Sequence, residues 1–158
     1  MYKSVCVLVV LLAAFAFTSG SRSADASPTT PVSPPIVARA KLVNQTATIP
    51  STTIFAPTQD GLYRLSVYAI VTKTDTNSGS FWSYGPAFTD DSGPHSLGEL
   101  LTGYGNSLGT FTYEAQYGAG IAMPFEAKAG SPITYSVTQV GPPDNSAYSL
   151  YYTLERLE

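Results

Sequence analysis

From Ala38 onward apolar and polar residues alternate with a period of two, the repeat of a strand with one buried face. Between Leu62 and Thr74 the alternation is longest: Tyr63, Leu65, Val67, Ala69 and Val71 share one face, and Arg64, Ser66, Tyr68, Ile70 and Thr72 the other. It recurs at Phe111, Tyr113, Ala115 and Tyr117, at Ile121, Met123, Phe125 and Ala127, at Ile133, Tyr135 and Val137, and at Tyr148, Leu150, Tyr152 and Leu154. Less regular apolar runs at 38–48, 52–55 and 81–88 bring the expectation to about eight strands. Turn signals separate them, among them Asp60-Gly61, Asn77-Ser78-Gly79, Asp91-Ser92-Gly93-Pro94, Gly118-Ala119-Gly120, Gly130-Ser131-Pro132 and Gly141-Pro142-Pro143. The only candidate helix is a turn at Ser96 to Leu101, and Gly103 to Gly109 reads as a loop. Antiparallel strands without crossover helices leave a sandwich, a jelly roll or a closed barrel.

The first 26 residues follow a different rule. Lys3 precedes an apolar run from Val5 to Phe17, shorter than the about 20 residues a membrane-spanning helix needs. Polar residues follow, and Ala24-Asp25-Ala26 has the small-x-small form of a signal-peptidase site, so residues 1–26 are expected to be a secretory signal peptide cut after Ala26, with Gly20 as the alternative. Secretion to the extracellular space, or to a periplasm, is the expected location, with no integral membrane segment after cleavage. Residues 27–37 hold four prolines by Pro35 and read as a proline-rich spacer, leaving 38–158 as one domain.

Composition narrows the function classes. Only 12% of the residues are charged, against about 25% in ordinary soluble domains. The net charge of −3 supplies no basic face for nucleic acid or an anionic membrane. The single cysteine, Cys6, leaves with the signal peptide, which removes disulfides and cysteine nucleophiles together.

Three segments carry a family resemblance. Ile54-Phe55-Ala56-Pro57 followed by Asp60-Gly61-Leu62-Tyr63-Arg64-Leu65-Ser66-Val67-Tyr68 is the first. The second is Phe125 to Val137, a strand, a turn and the next strand, in which Ser131-Pro132 replaces an acidic turn residue. The third is the closing aromatic strand from Tyr148 to Leu157. Together they resemble the jelly-roll domains of the complement first-component globular head and the tumour-necrosis-factor-like superfamily. The resemblance implies an all-β antiparallel two-sheet sandwich, a jelly roll of about eight to ten strands that is often trimeric, binds partners and lacks catalytic machinery.

Catalytic constellations are sparse. His95 is the only histidine, and its neighbours Asp90, Asp91 and Ser92 lie in a Gly-Pro turn, a poor frame for a serine triad. Carboxylate chemistry needs two acids across a cleft. Glu99, Glu114 and Glu126 are the strand-associated candidates, and the last two alternate outward. One histidine cannot furnish a zinc, copper or non-haem iron site. No cofactor is expected. Calcium is the metal that oxygen-rich loops permit, with Asp75, Asn77, Asp90 and Asp91 as candidates, although hairpin turns account for the same residues.

Aromatic rings are the remaining signal. Tyr68, Tyr151 and, depending on register, Phe81 or Trp82 with Tyr84 fall off the inward face, and Tyr104 lies in a loop. Exposed Tyr and Trp suit a subunit interface or sugar stacking. The leading expectation is a secreted, non-enzymatic binding or assembly module, homo-oligomeric through aromatic sheet faces. The alternatives are a carbohydrate-binding module using Trp82, Tyr84 and Tyr104, and a filament subunit in which residues 27–43 add a strand to a neighbour's sheet. Asn44-Gln45-Thr46 is also an N-glycosylation sequon, meaningful in a eukaryotic source.

Overall fold

A computed structural model describes residues 33–75, 79–113, 116–119 and 121–158. Within them twelve strands run in chain order: β1 (Ile36–Gln45), β2 (Ile49–Phe55), β3 (Gly61–Lys73), β4 (Phe81–Asp90), β5 (Gly93–Ser96), β6 (Leu101–Tyr104), β7 (Gly109–Thr110), β8 (Thr112–Tyr113), β9 (Gln116–Ala119), β10 (Ile121–Ala127), β11 (Ile133–Val140) and β12 (Ala147–Arg156). The count exceeds eight to ten because residues 93–119 divide into five short pieces. Where the sequence suggested a helical turn, residues 97–100 form turns and Leu101 begins β6, so no helix occurs among the described residues. Gly98 weakens a helix in that stretch. β1 begins two residues inside the segment read as a spacer.

The strands form two antiparallel sheets. The first has the order β1-β12-β3-β10, with β7 also paired to β3; the second has the order β2-β11-β4-β6-β8-β9, with β5 also paired to β4. The chain alternates between them. β1, β3, β10 and β12 lie in the first sheet, and β2, β4 and β11 in the second, so each long connection crosses the sandwich. β12 inserts between β1 and β3, and β11 between β2 and β4. This nesting of late strands between early ones is the double Greek key of a jelly roll.

Alternation sets the core. Tyr63, Leu65, Val67, Ala69 and Val71 of β3 are all buried, as are Ile133, Tyr135 and Val137 of β11 and Tyr148, Leu150 and Leu154 of β12. Aromatic contacts bridge the sheets: Trp82 lies 4.7 Å from Tyr148, Tyr135 5.3 Å from Tyr152, and Phe88 4.3 Å from Phe125, centroid to centroid. Such pairs add about 0.5–1.5 kcal/mol each beyond the area they bury. Trp82 and Tyr84 belong to this interior, 1% and 0% exposed, which corrects their assignment to an outward face. In β4 the parity of Trp82, Tyr84, Pro86 and Phe88 points inward, and Phe81 takes the outer side.

One end of the sandwich is closed by polar groups. The Trp82 indole N–H donates to Ser146 Oγ at 2.8 Å, and Ser146 Oγ donates in turn to Asp144 Oδ1 at 2.5 Å. Gln139 Nε2 and the Ser146 backbone N–H also donate to that carboxylate oxygen, at 2.6 and 2.9 Å. Ser80 donates its hydroxyl to the other carboxylate oxygen. The indole N–H therefore enters the core without being left unsatisfied.

Candidate functional site: the outer face of the first sheet

The residues between the core positions of β1, β12 and β3 point away from the sandwich, and register brings them into rows. Lys41, Tyr151 and Tyr68 lie side by side across the three strands; Arg39, Thr153 and Ser66 form the next row, and Glu155 and Arg64 the one beyond. Adjacent strands stand about 4.8 Å apart, so side chains in a row touch. The Tyr68 and Tyr151 rings meet at 5.7 Å, tilted by 40°. Lys41 Nζ lies 5.7 Å from the Tyr151 ring centroid, within range of a cation–π attraction. Tyr68 remains 43% exposed although it sits mid-sheet. The rows enclose a shallow groove of about 670 Å³ whose floor includes Val67 and Tyr152.

The charge around this groove is positive. Arg64 Nε donates to Glu155 Oε2 at 2.7 Å, and that hydrogen bond, with the attraction of the carboxylate, raises the guanidinium pKa further. Arg39 and Lys41 have no ion-pair partner among the described residues.

The other sequence candidates fall elsewhere. Tyr104 is 60% exposed on β6 and stands 6.1 Å from Phe81 on the outer side of the second sheet, apart from Tyr68 and Tyr151. With Trp82 and Tyr84 inside the core, the sugar-stacking trio Trp82, Tyr84 and Tyr104 is not presented on one surface. Of residues 27–43, expected to add a strand to a neighbour's sheet, the part from Ile36 to Leu42 is paired with β12 of its own chain.

His95 Nε2 lies 2.8 Å from Asp90 Oδ1 and 3.0 Å from Ser92 Oγ. One ring nitrogen serves both neighbours, whereas a triad needs the acid and the nucleophile on opposite nitrogens. The hydrogen bond from Ser92, followed by that from His95, lowers the Asp90 pKa to about 2. Asp91 turns away to the Lys128 ammonium. The Asp75 carboxylate accepts from the Asn145 backbone N–H at 3.0 Å, and Asn77 lies outside the described residues. No metal-binding cluster of His, Cys, Asp or Glu occurs among the described residues. Glu99 and Glu126 are exposed, and Glu114 lies outside the described residues.

One buried group escaped sequence reasoning. The Tyr84 hydroxyl is the single buried side-chain polar atom without a hydrogen-bond partner among the described residues. Burial, reinforced by Tyr152 and Tyr135, drives its pKa far above the ordinary phenol value. Tyr84 shares the inward parity of Trp82, a parity fixed by packing across the sandwich rather than by the pattern of β4 itself.

No helix among the described residues is long and apolar enough to cross a membrane. No protein-family model and no curated protein sequence matches the chain. Among solved structures, the chain is similar to the structure of Eiger TNF from S. frugiperda, at 14% identity and a TM-score of 0.39, over 78% of this chain and 94% of that one. The jelly roll itself rests on the strand order described above.

Proposed function

We propose that this protein is an exported, non-enzymatic assembly module that binds a second copy of itself through the outer face of the first sheet. The observation that carries the reading is the Lys41–Tyr151–Tyr68 row, a tilted tyrosine pair at the middle of a sheet in which Tyr68 is open to solvent and Tyr151 half-buried. Exposed aromatics in a central position are the residues that dominate interface energetics. A stable contact covers about 800 Å² per partner, and a face three strands wide is broad enough to form much of it. The family resemblance implies three copies around a common axis. Arg39 and Lys41 fit an assembly of this acidic chain, because each can meet carboxylates of a neighbouring copy.

Replacing both Tyr68 and Tyr151 by serine tests the proposal. Sedimentation velocity is expected to show the assembled wild-type chain falling to a single protomer, while circular dichroism and the melting temperature stay close to the wild type. An unchanged sedimentation coefficient in the double variant overturns the reading.

A further inference from the structure

The sequon Asn44-Gln45-Thr46 plays no part in the tyrosine face, and the structure shows how it is presented. Asn44 is the one non-glycine residue with positive φ among the described residues, at 52°. It sits where the β1–β12 register slips between Leu42 and Gln45. Asparagine tolerates this left-handed conformation better than most side chains. The Asn44 backbone N–H donates to Ser149 Oγ at 3.0 Å, which ties the kink to β12. Its carboxamide has no hydrogen-bond partner among the described residues. Asn44 and Thr46 are both exposed. Gln45, between them, folds back to donate to the Val43 carbonyl at 2.8 Å.

We infer that Asn44 is a site of N-linked glycosylation. The chemistry is group transfer from a lipid-diphosphate-linked oligosaccharide. The Asn44 side-chain nitrogen attacks C1 of the first sugar; the N–C1 bond forms as the C1–O bond to phosphate breaks. The lipid diphosphate departs with the bonding electron pair, and the amide proton passes to a carboxylate of the transferring enzyme. Thr46 supplies the hydroxyl that completes the acceptor sequence. The folded protein then carries the sugar at the end of edge strand β1, next to Val43, an apolar side chain 46% exposed. A bulky polar group there shields an edge that could otherwise pair with another chain.

The test is expression of the full chain in a eukaryotic secretory host, with peptide mass mapping before and after peptide-N-glycosidase. The expected result is one glycan, released with conversion of Asn44 to aspartate at that position alone. Thr46→Ala is expected to remove the glycan and Thr46→Ser to retain it. An unmodified Asn44 in the wild-type chain overturns the inference, as does a glycan that persists in Thr46→Ala. The wild-type map decides the matter without any variant having to fold, and its outcome is independent of whether the tyrosine face assembles.

Discussion

The two sheets turn very different outer faces to their surroundings. On the second sheet, Ser83 and Gly85 of β4 point outward, yet Ser83 is only 1% exposed because residues 97–100 lie over them. Leu97 N–H donates to the Pro86 carbonyl at 2.9 Å, and a Cβ at Gly85 would stand 2.2 Å from the Gly98 carbonyl oxygen. At Ser83 and Gly85 that face is small, polar and roofed by the chain itself, whereas at Phe81 and Tyr104 it is aromatic, with Tyr104 60% exposed. On the first sheet, the corresponding positions of β3 and β12 hold Tyr68 and Tyr151, and nothing among the described residues roofs Tyr68. Glycine and serine stand where the chain's own backbone covers the second sheet, and Tyr68 stands uncovered on the first.

The largest expected effect separates the inside of the sandwich from its tyrosine face. Trp82→Ala removes a ring packed on Tyr148 and the indole N–H donated to Ser146 Oγ, and should cost about 3–5 kcal/mol in chemical denaturation. Gly85→Ala probes the roofed face. The added methyl must push residues 97–98 off β4, with an expected loss of about 1–3 kcal/mol; a neutral result would mean that the roof is loose. Tyr68→Ala is expected to change protomer stability by less than about 1 kcal/mol, as surface substitutions do. Assembly, by contrast, should weaken by about 2 kcal/mol or more, read as a shift in the dissociation midpoint on dilution. Tyr84→Phe is expected to be neutral or slightly stabilising in thermal denaturation, because it deletes a buried hydroxyl without a partner.

The smallest effect concerns the turn after β4. The folded-state pKa of Asp90 lies at about 2, below the ordinary carboxylate value of 3.8. Its ionised form therefore stabilises the fold above pH 3.8, and that contribution disappears as the pH falls through about 2. A melting-temperature series over this window should flatten in Asp90→Asn; equal slopes in the two proteins would detach Asp90 from the acid response.

The sheets were legible in the sequence where one parity is uniformly apolar. In β3 the run Tyr63, Leu65, Val67, Ala69 and Val71 left Tyr68 only one side to occupy, and in β12 Leu150 and Leu154 did the same for Tyr151. In β4 aromatics stand on both parities, Phe81 on one and Trp82 with Tyr84 on the other. A one-residue shift exchanges the two faces, and local pattern could not choose between them. The choice is made across the sandwich, by the Tyr148 ring and by the Ser146 hydroxyl, which lies 64 residues from Trp82 in sequence. Strands β5 to β7 escaped for another reason: they are short segments held by pairing with longer neighbours and by tertiary hydrogen bonds such as Phe111 N–H to the Ala69 carbonyl. The tyrosine row was half legible, since each ring could be placed outward, but their meeting at 5.7 Å depends on the β3–β12 register.

The central claim is that the uncovered tyrosine face joins copies of this chain. Multi-angle light scattering of the purified wild-type protein, followed across dilution at micromolar concentration, tests it most directly. The account predicts a discrete mass that is a whole-number multiple of the protomer, three if the family resemblance extends to assembly. A single protomer mass at every concentration would contradict it.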